Sequence, residues 1–93
     1  MGTRTLDRRR SDSPHRAPIL DRFGIAVRGR REHLRLTRAE LEQRSGIPRN
    51  YIGSIERGEI NPTLLTQQRI AHGLGVRLAE LVTEAEEKAA LDA

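Results

Sequence analysis

The apolar positions of this chain fall into short clusters set apart by glycine, proline and polar residues, and within each cluster the spacing is helical. From Leu20 onward, Phe23, Val27 and Leu34 recur at offsets 0, 4 and 11, with Asp21 placed to cap the start. That predicts a first helix over about 20–33. Thr37 followed three residues later by Glu40 is a capping box, and it opens a second helix over about 38–45, which Gly46 closes as a left-handed C-cap. Pro48 suits the first turn of a third helix, because its missing N–H would be unpaired there in any case. Ile52 and Ile55 give that helix, about 49–57, an inward face, and Gly58 ends it. Asn61-Pro62-Thr63 restarts the chain; Leu64, Ile70, Ala71 and Leu74 mark the apolar stripe of a fourth helix, interrupted by Gly73 and Gly75. Val76, Leu78, Leu81 and Val82 make a short fifth helix, and the acidic, alanine-rich "TEAEEKAALDA" is either a tail or its extension. The predicted fold class is all-α: five helices, no strand and no internal repeat.

Composition narrows this picture. The chain has 93 residues, room for one small domain with a modest core. Aromatics are 2% of it, only Phe23 and Tyr51, so Leu, Ile, Val and Ala must fill that core, which disfavours aromatic-rich sandwiches and barrels. There is no cysteine, hence no disulfide, Cys-based zinc site or thiol chemistry. No apolar run approaches the roughly 20 residues of a membrane span, and the basic N-terminus has no apolar stretch behind it, so neither anchor nor signal peptide is expected.

Charge separates the chain into parts. Residues 1–31 carry nine Arg against three Asp, whereas residues 32–93 carry eight Lys and Arg against ten acids. Residues 1–18 are polar, with Pro14 and Pro18, and hold too little apolar surface to offset the entropy of ordering; they are expected to form a disordered basic arm. The expected domain is 19–83, followed by 84–93 as the acidic tail or helix extension. Arg8-Arg9-Arg10 reads equally as a phosphate-tracking arm and as a solvated tail. Sixteen of the 17 basic residues are Arg, which fits bidentate phosphate and guanine contacts as well as it fits a GC-rich genome.

Two short helices joined through Gly46 have the form of a helix-turn-helix, whose turn of three to four residues sets one helix across the other. The stretches "LTRAELEQRSGIPRNYIGSIERGEINPT" and "IAHGLGVRLAELV" resemble the Xre-type, lambda-repressor-like helix-turn-helix family over about 23–82, and "IPRNYIGSIERG" resembles the recognition helix of restriction-modification controller proteins. The resemblance implies a compact five-helix DNA-binding domain in a prokaryotic, cytoplasmic regulator of transcription, nucleoid-associated when bound. It further implies base contacts from Arg38, Arg49, Asn50 and Ser54, phosphate contacts from Thr37, Tyr51, Asn61 and Arg57, and a structural pair between Arg31 and Glu56. The chemistry agrees: Arg49 reaches guanine O6 and N7 bidentately, and Asn50 pairs with adenine N6 and N7. Thr37 and Asn61 stand near helix N-termini whose N–H groups suit phosphates. Tyr51 serves either as a contact to phosphate or a thymine methyl, or as cover for the corner between the second and third helices. Four positions depart from the family pattern: Arg30 and Gln67 where apolar residues are common, Arg35 where glycine often ends the first helix, and Glu42 where alanine is usual.

The leading functional reading is a repressor or autoregulatory controller that binds double-stranded DNA as a homodimer on a near-palindromic operator. Leu78, Leu81, Val82 and Leu91 have little left to cover in so small a domain and are expected to supply the dimer face. The rival reading is a protein-interaction module, an antitoxin or adaptor with a protein partner, for which DNA binding is secondary. His15, His33 and His72 lie in separate segments, and Ser11, Ser13, Ser45 and Ser54 have no base motif nearby, so no metal site, cofactor or enzymatic activity is expected.

Overall fold

The computed structural model describes residues 17–92, with side chains through residue 87. Five helices are present among them: α1 Pro18–His33, α2 Arg38–Ser45, α3 Arg49–Glu56, α4 Leu64–Gly73 and α5 Leu78–Asp92. No helix among the described residues is long and apolar enough to cross a membrane. Most of the predicted basic arm, including Arg8 to Arg10, lies outside the described residues, as do His15, Ser11, Ser13 and the side chain of Leu91. Ala17 and Pro18 are described, and they begin α1 two residues earlier than the periodicity suggested: Ala17 is the N-cap and Pro18, with φ already set, takes the first helical position. Asp21 is therefore not the cap. It sits in the first turn, where the positive end of the helix dipole favours a carboxylate.

The long helices α1 and α5 pack on each other, α1 also lies against α3, and α2 bridges α3 and α4. Every helix contributes to one core, in which Val27, Leu41, Ile52, Ile55, Ile70 and Leu81 are completely covered. Three expected core or surface assignments change. Leu34 is exposed: it is the C-cap of α1, one residue past the end of the helix at His33, although its own φ and ψ are still helical. Leu64 is exposed as well; it is the first residue of α4, and its side chain tilts back beyond the packed end of the helix. Leu81, expected on the dimer face, is wholly buried inside one copy because α1 covers α5. Leu78 and Val82 are half-buried and also pack against this core.

Arg35 explains how α1 ends without the glycine usual in the family. Its φ is 58°, the left-handed conformation, so that the Leu36 N–H reaches the Arg31 carbonyl at 3.0 Å. An L side chain there is strained by roughly 1 kcal/mol. Arg35→Gly is therefore expected to raise the melting temperature by about 3–6 °C, corresponding to roughly 0.5–1 kcal/mol in a domain of this size. Thermal unfolding followed by circular dichroism checks this, and an unchanged or lower midpoint would contradict it.

Candidate nucleic-acid interface

The local chemistry of α2 and α3 sets the angle between them. The capping box at the start of α2 is complete: Thr37 Oγ1 accepts from the Glu40 N–H at 3.0 Å, and the Thr37 N–H donates to Glu40 Oε1 at 2.8 Å. At the other end Gly46 takes φ 78° and donates its N–H to the Glu42 carbonyl at 2.8 Å. Ile47 then turns inward and is buried, its N–H held by Ser45 Oγ at 3.1 Å. Pro48 is the N-cap of α3, one place ahead of the expected first-turn position. The connection between the two helices is thus Gly46-Ile47-Pro48, short and fixed at both ends.

A buried carboxylate anchors α3 to both earlier helices. Glu56, whose side chain is 1% exposed, accepts from Arg31 Nε at 2.6 Å and Arg31 Nη2 at 3.1 Å, and from Arg38 Nε at 3.0 Å. Arg31 Nη1 also donates to the Leu36 carbonyl at 2.8 Å, which fixes the link between α1 and α2. The hydrogen bond to Glu56 raises the Arg31 pKa above its already high ordinary value, against the opposing effect of burial, so the guanidinium stays charged. The Arg31–Glu56 pair implied by the family resemblance is present, and Arg38 joins it. Close approach of α1 makes this possible: a Cβ at Gly24 would overlap the backbone carbonyls of Ile55 and Glu56.

With α3 held in this way, Ile52 and Ile55 face inward, while Arg49 and Asn50 are exposed and Ser54 is half-exposed. Ser54 Oγ donates to the Asn50 carbonyl at 3.3 Å, so these two residues share one side of the helix. Tyr51 is half-buried and packs against the core. Arg38 is partly committed to Glu56 yet keeps 40% of its side chain exposed. Arg57 is exposed and is held by Glu59, Nε to Oε2 at 2.8 Å. Thr37 is exposed; its N–H is taken by the Glu40 carboxylate, while its hydroxyl, which accepts from the Glu40 N–H, still has its own proton to donate. Asn61 is exposed, but it does not cap α4; Thr63 does, accepting from the Thr66 N–H at 3.1 Å.

Several contacts were not foreseen. Arg30 pairs with Glu84 across α1 and α5, its Nε 3.0 Å from Oε2, which accounts for a charge where an apolar residue is common. Gln67 donates to the Pro62 carbonyl at 3.1 Å, giving the other polar substitution a partner. Arg49 Nε donates to Glu42 Oε1 at 2.8 Å across the turn. Opposite charges seven residues apart on either side of a three-residue turn are the only signal that could have indicated this pair. Among the described residues no group of three or more His, Asp or Glu is arranged to hold a metal ion.

Comparison with known proteins agrees with this geometry. Residues 27–81 match the family model described as helix-turn-helix. The chain is 48% identical over 52 residues to the HTH-type transcriptional regulator y4dJ of Sinorhizobium fredii, covering 56% of this chain and 68% of that protein. It is 32% identical over 68 residues to the control protein C.MunI of a Mycoplasma species, covering 72% of this chain and 92% of that protein. Among solved structures, the restriction-modification controller protein C.AhdI from Aeromonas hydrophila superposes with a TM-score of 0.65 at 34% identity, over 67% of this chain and 94% of that one.

Proposed function

This chain belongs to the helix-turn-helix family, in its Xre-type, lambda-repressor-like form, and on that premise we propose that it regulates transcription as a homodimer bound to a near-palindromic DNA operator. The observation that carries the proposal is the outward face of α3. Arg49, Asn50 and Ser54 stand on a helix whose orientation is set by a buried ion-pair cluster rather than by a flexible loop. A helix fixed this way presents hydrogen-bonding side chains to a major groove at defined positions, which is what direct readout requires. Arg49 is assigned to guanine and Asn50 to adenine, with Ser54 beside them. Arg38 is assigned to a base edge, and Thr37 at the start of α2, Tyr51, Arg57 and Asn61 to flanking phosphates. Leu81 has no part in the twofold contact, since it is buried; Leu78 and Val82 keep a place in it. Control of restriction-modification genes is a fitting biological setting, given the likeness to C.MunI and C.AhdI.

Arg49→Ala is expected to weaken binding to the operator by about 1–3 kcal/mol while leaving binding to scrambled DNA nearly unchanged. Fluorescence anisotropy with both duplexes, the operator being recovered by selection from a random pool, measures the two losses side by side. Equal losses on both would remove Arg49 from the base-reading role. A second reading, the protein-interaction module, draws on Leu64 and Leu65, which are 70% and 54% exposed at the start of α4. Its mark would be a partner protein that co-purifies at fixed stoichiometry and needs these leucines.

A further inference from the structure

Glu42 stands where the family usually has alanine, and its carboxylate is the one that meets Arg49. The location is otherwise unfavourable for an acid. Glu42 lies in the last turn of α2, where the helix dipole favours a cation, and next to a face proposed to approach phosphates. Its backbone is fixed because its carbonyl receives the Gly46 N–H that closes the helix. From that fixed base the side chain reaches across the turn to the first residue of α3, with Glu42 35% exposed and Arg49 65% exposed.

The atoms used are informative. Only Nε of Arg49 is bonded to Glu42, through Oε1 at 2.8 Å. A guanidinium reads guanine through two parallel N–H donors, and an anchor on Nε leaves Nη1 and Nη2 as that fork. Holding Nε restrains the plane of the group and removes part of the rotamer freedom that Arg49 would otherwise lose on binding. As an ordinary exposed ion pair the contact would contribute little to stability, so its consequence lies in orientation.

We infer that Glu42 is a positioning residue that aims Arg49 and thereby sets the strength of guanine preference at one position of the operator half-site. The inference rests on the proposed reading of Arg49 as a base contact. It also carries a consequence particular to this chain: relatives with alanine at this position would present a less restrained arginine, and their preference there would be weaker.

The test uses the full chain, its selected duplex, and duplexes with each guanine of the half-site replaced in turn. Wild type, Glu42→Ala, Glu42→Gln and Arg49→Ala are titrated against all of them, with thermal unfolding of each variant alongside. Arg49→Ala identifies the position concerned by abolishing preference there. Glu42→Ala is expected to lower the guanine preference at that same position by about tenfold, with binding to scrambled DNA unchanged or tighter because a negative charge is gone. Glu42→Gln, whose amide oxygen still accepts from Nε, should restore about a third of the lost preference or more. If Glu42→Ala and Glu42→Gln change affinity for every duplex by one common factor and leave the preference intact, Glu42 acts only as a charge and the inference is overturned. Failure of the underlying reading looks different: wild type would show no guanine preference, or Arg49→Ala would retain it.

Discussion

Replacing Glu56 with alanine is expected to lower the unfolding free energy by about 3–5 kcal/mol, the range for breaking a buried ion pair by removing one partner. The loss comes from what remains. Arg31, with only 10% of its side chain exposed, keeps its charge but retains a single hydrogen bond, to the Leu36 carbonyl. Arg38 also loses the acceptor of its Nε, although at 40% exposure water can replace it. For a small domain with a total stability of roughly 5 kcal/mol or a little more, this leaves a large fraction unfolded at ordinary temperatures. A double exchange separates stability from orientation. Arg31→Met with Glu56→Leu removes the buried charges together and is expected to recover most of the stability, since apolar replacement of a buried pair is often neutral or better. It would not restore the geometry: α3 would no longer be tied through Glu56 to α1 and α2, so operator binding should remain impaired in a folded protein. Chemical denaturation and operator titration of both variants check the two halves of this expectation. Full stability of Glu56→Ala would show the cluster to be open to solvent, and full operator affinity of the double variant would show that it has no orienting role.

Gly24→Ala is the second large effect, expected to cost about 3 kcal/mol. One methyl group is added, but the site has no room for it. The Cβ would fall on the carbonyl oxygens of Ile55 and Glu56 and on the carbonyl carbon of Glu56, all backbone atoms that cannot rotate away. Relief requires α1 to withdraw from the end of α3. That movement pulls at the Arg31–Glu56 pair, about two turns further along α1, so Gly24→Ala should reduce operator binding as well as stability. Gly29→Ala, on the same helix, is the control: nothing lies within 4 Å of its Cβ position, and the higher helix propensity of alanine should raise stability by about 0.5–1 kcal/mol. Equal behaviour of the two variants under denaturant would contradict the proposed close approach.

The comparison of these two glycines shows what the sequence could and could not reveal. Elements whose boundaries depend on local chemistry were legible: Thr37, Glu40 and Gly46 place α2 at Arg38–Ser45, as their capping roles predict. The inward faces of α3 and α4 were likewise visible in Ile52, Ile55, Ile70 and Ala71. Close packing through small residues was not, because Gly24, Ala26 and Ala85 carry almost no hydrophobic signal although all three are buried. Apolar residues at helix ends misled in the opposite direction. Leu34 and Leu64 match a helical spacing, yet they lie at or beyond the last packed turn and remain exposed. Leu81 misled for a different reason: the length of α1, and therefore the area it covers on α5, cannot be deduced from α5 itself.

Within the candidate site, the Arg31–Glu56 pair and the α3 face followed from the family resemblance, whereas the partners of Arg38 and Arg49 did not. An arginine's position in a motif does not say which nearby carboxylate it meets, since that depends on rotamers across two helices. Thr37 illustrates the same limit. Its cap was predictable, but which of its donors the cap would occupy, the N–H rather than the hydroxyl, was not.

Sequence-specific recognition by a twofold pair of α3 helices is open to direct selection of bound duplexes from a random pool. The expected result is a consensus of two inverted half-sites with centres about 34 Å apart, one turn of DNA. Titration of that consensus at physiological salt should show binding at least ~10³-fold tighter than to scrambled DNA. A pool that stays unenriched, with only weak and strongly salt-dependent binding to any duplex, would contradict sequence-specific recognition by α3.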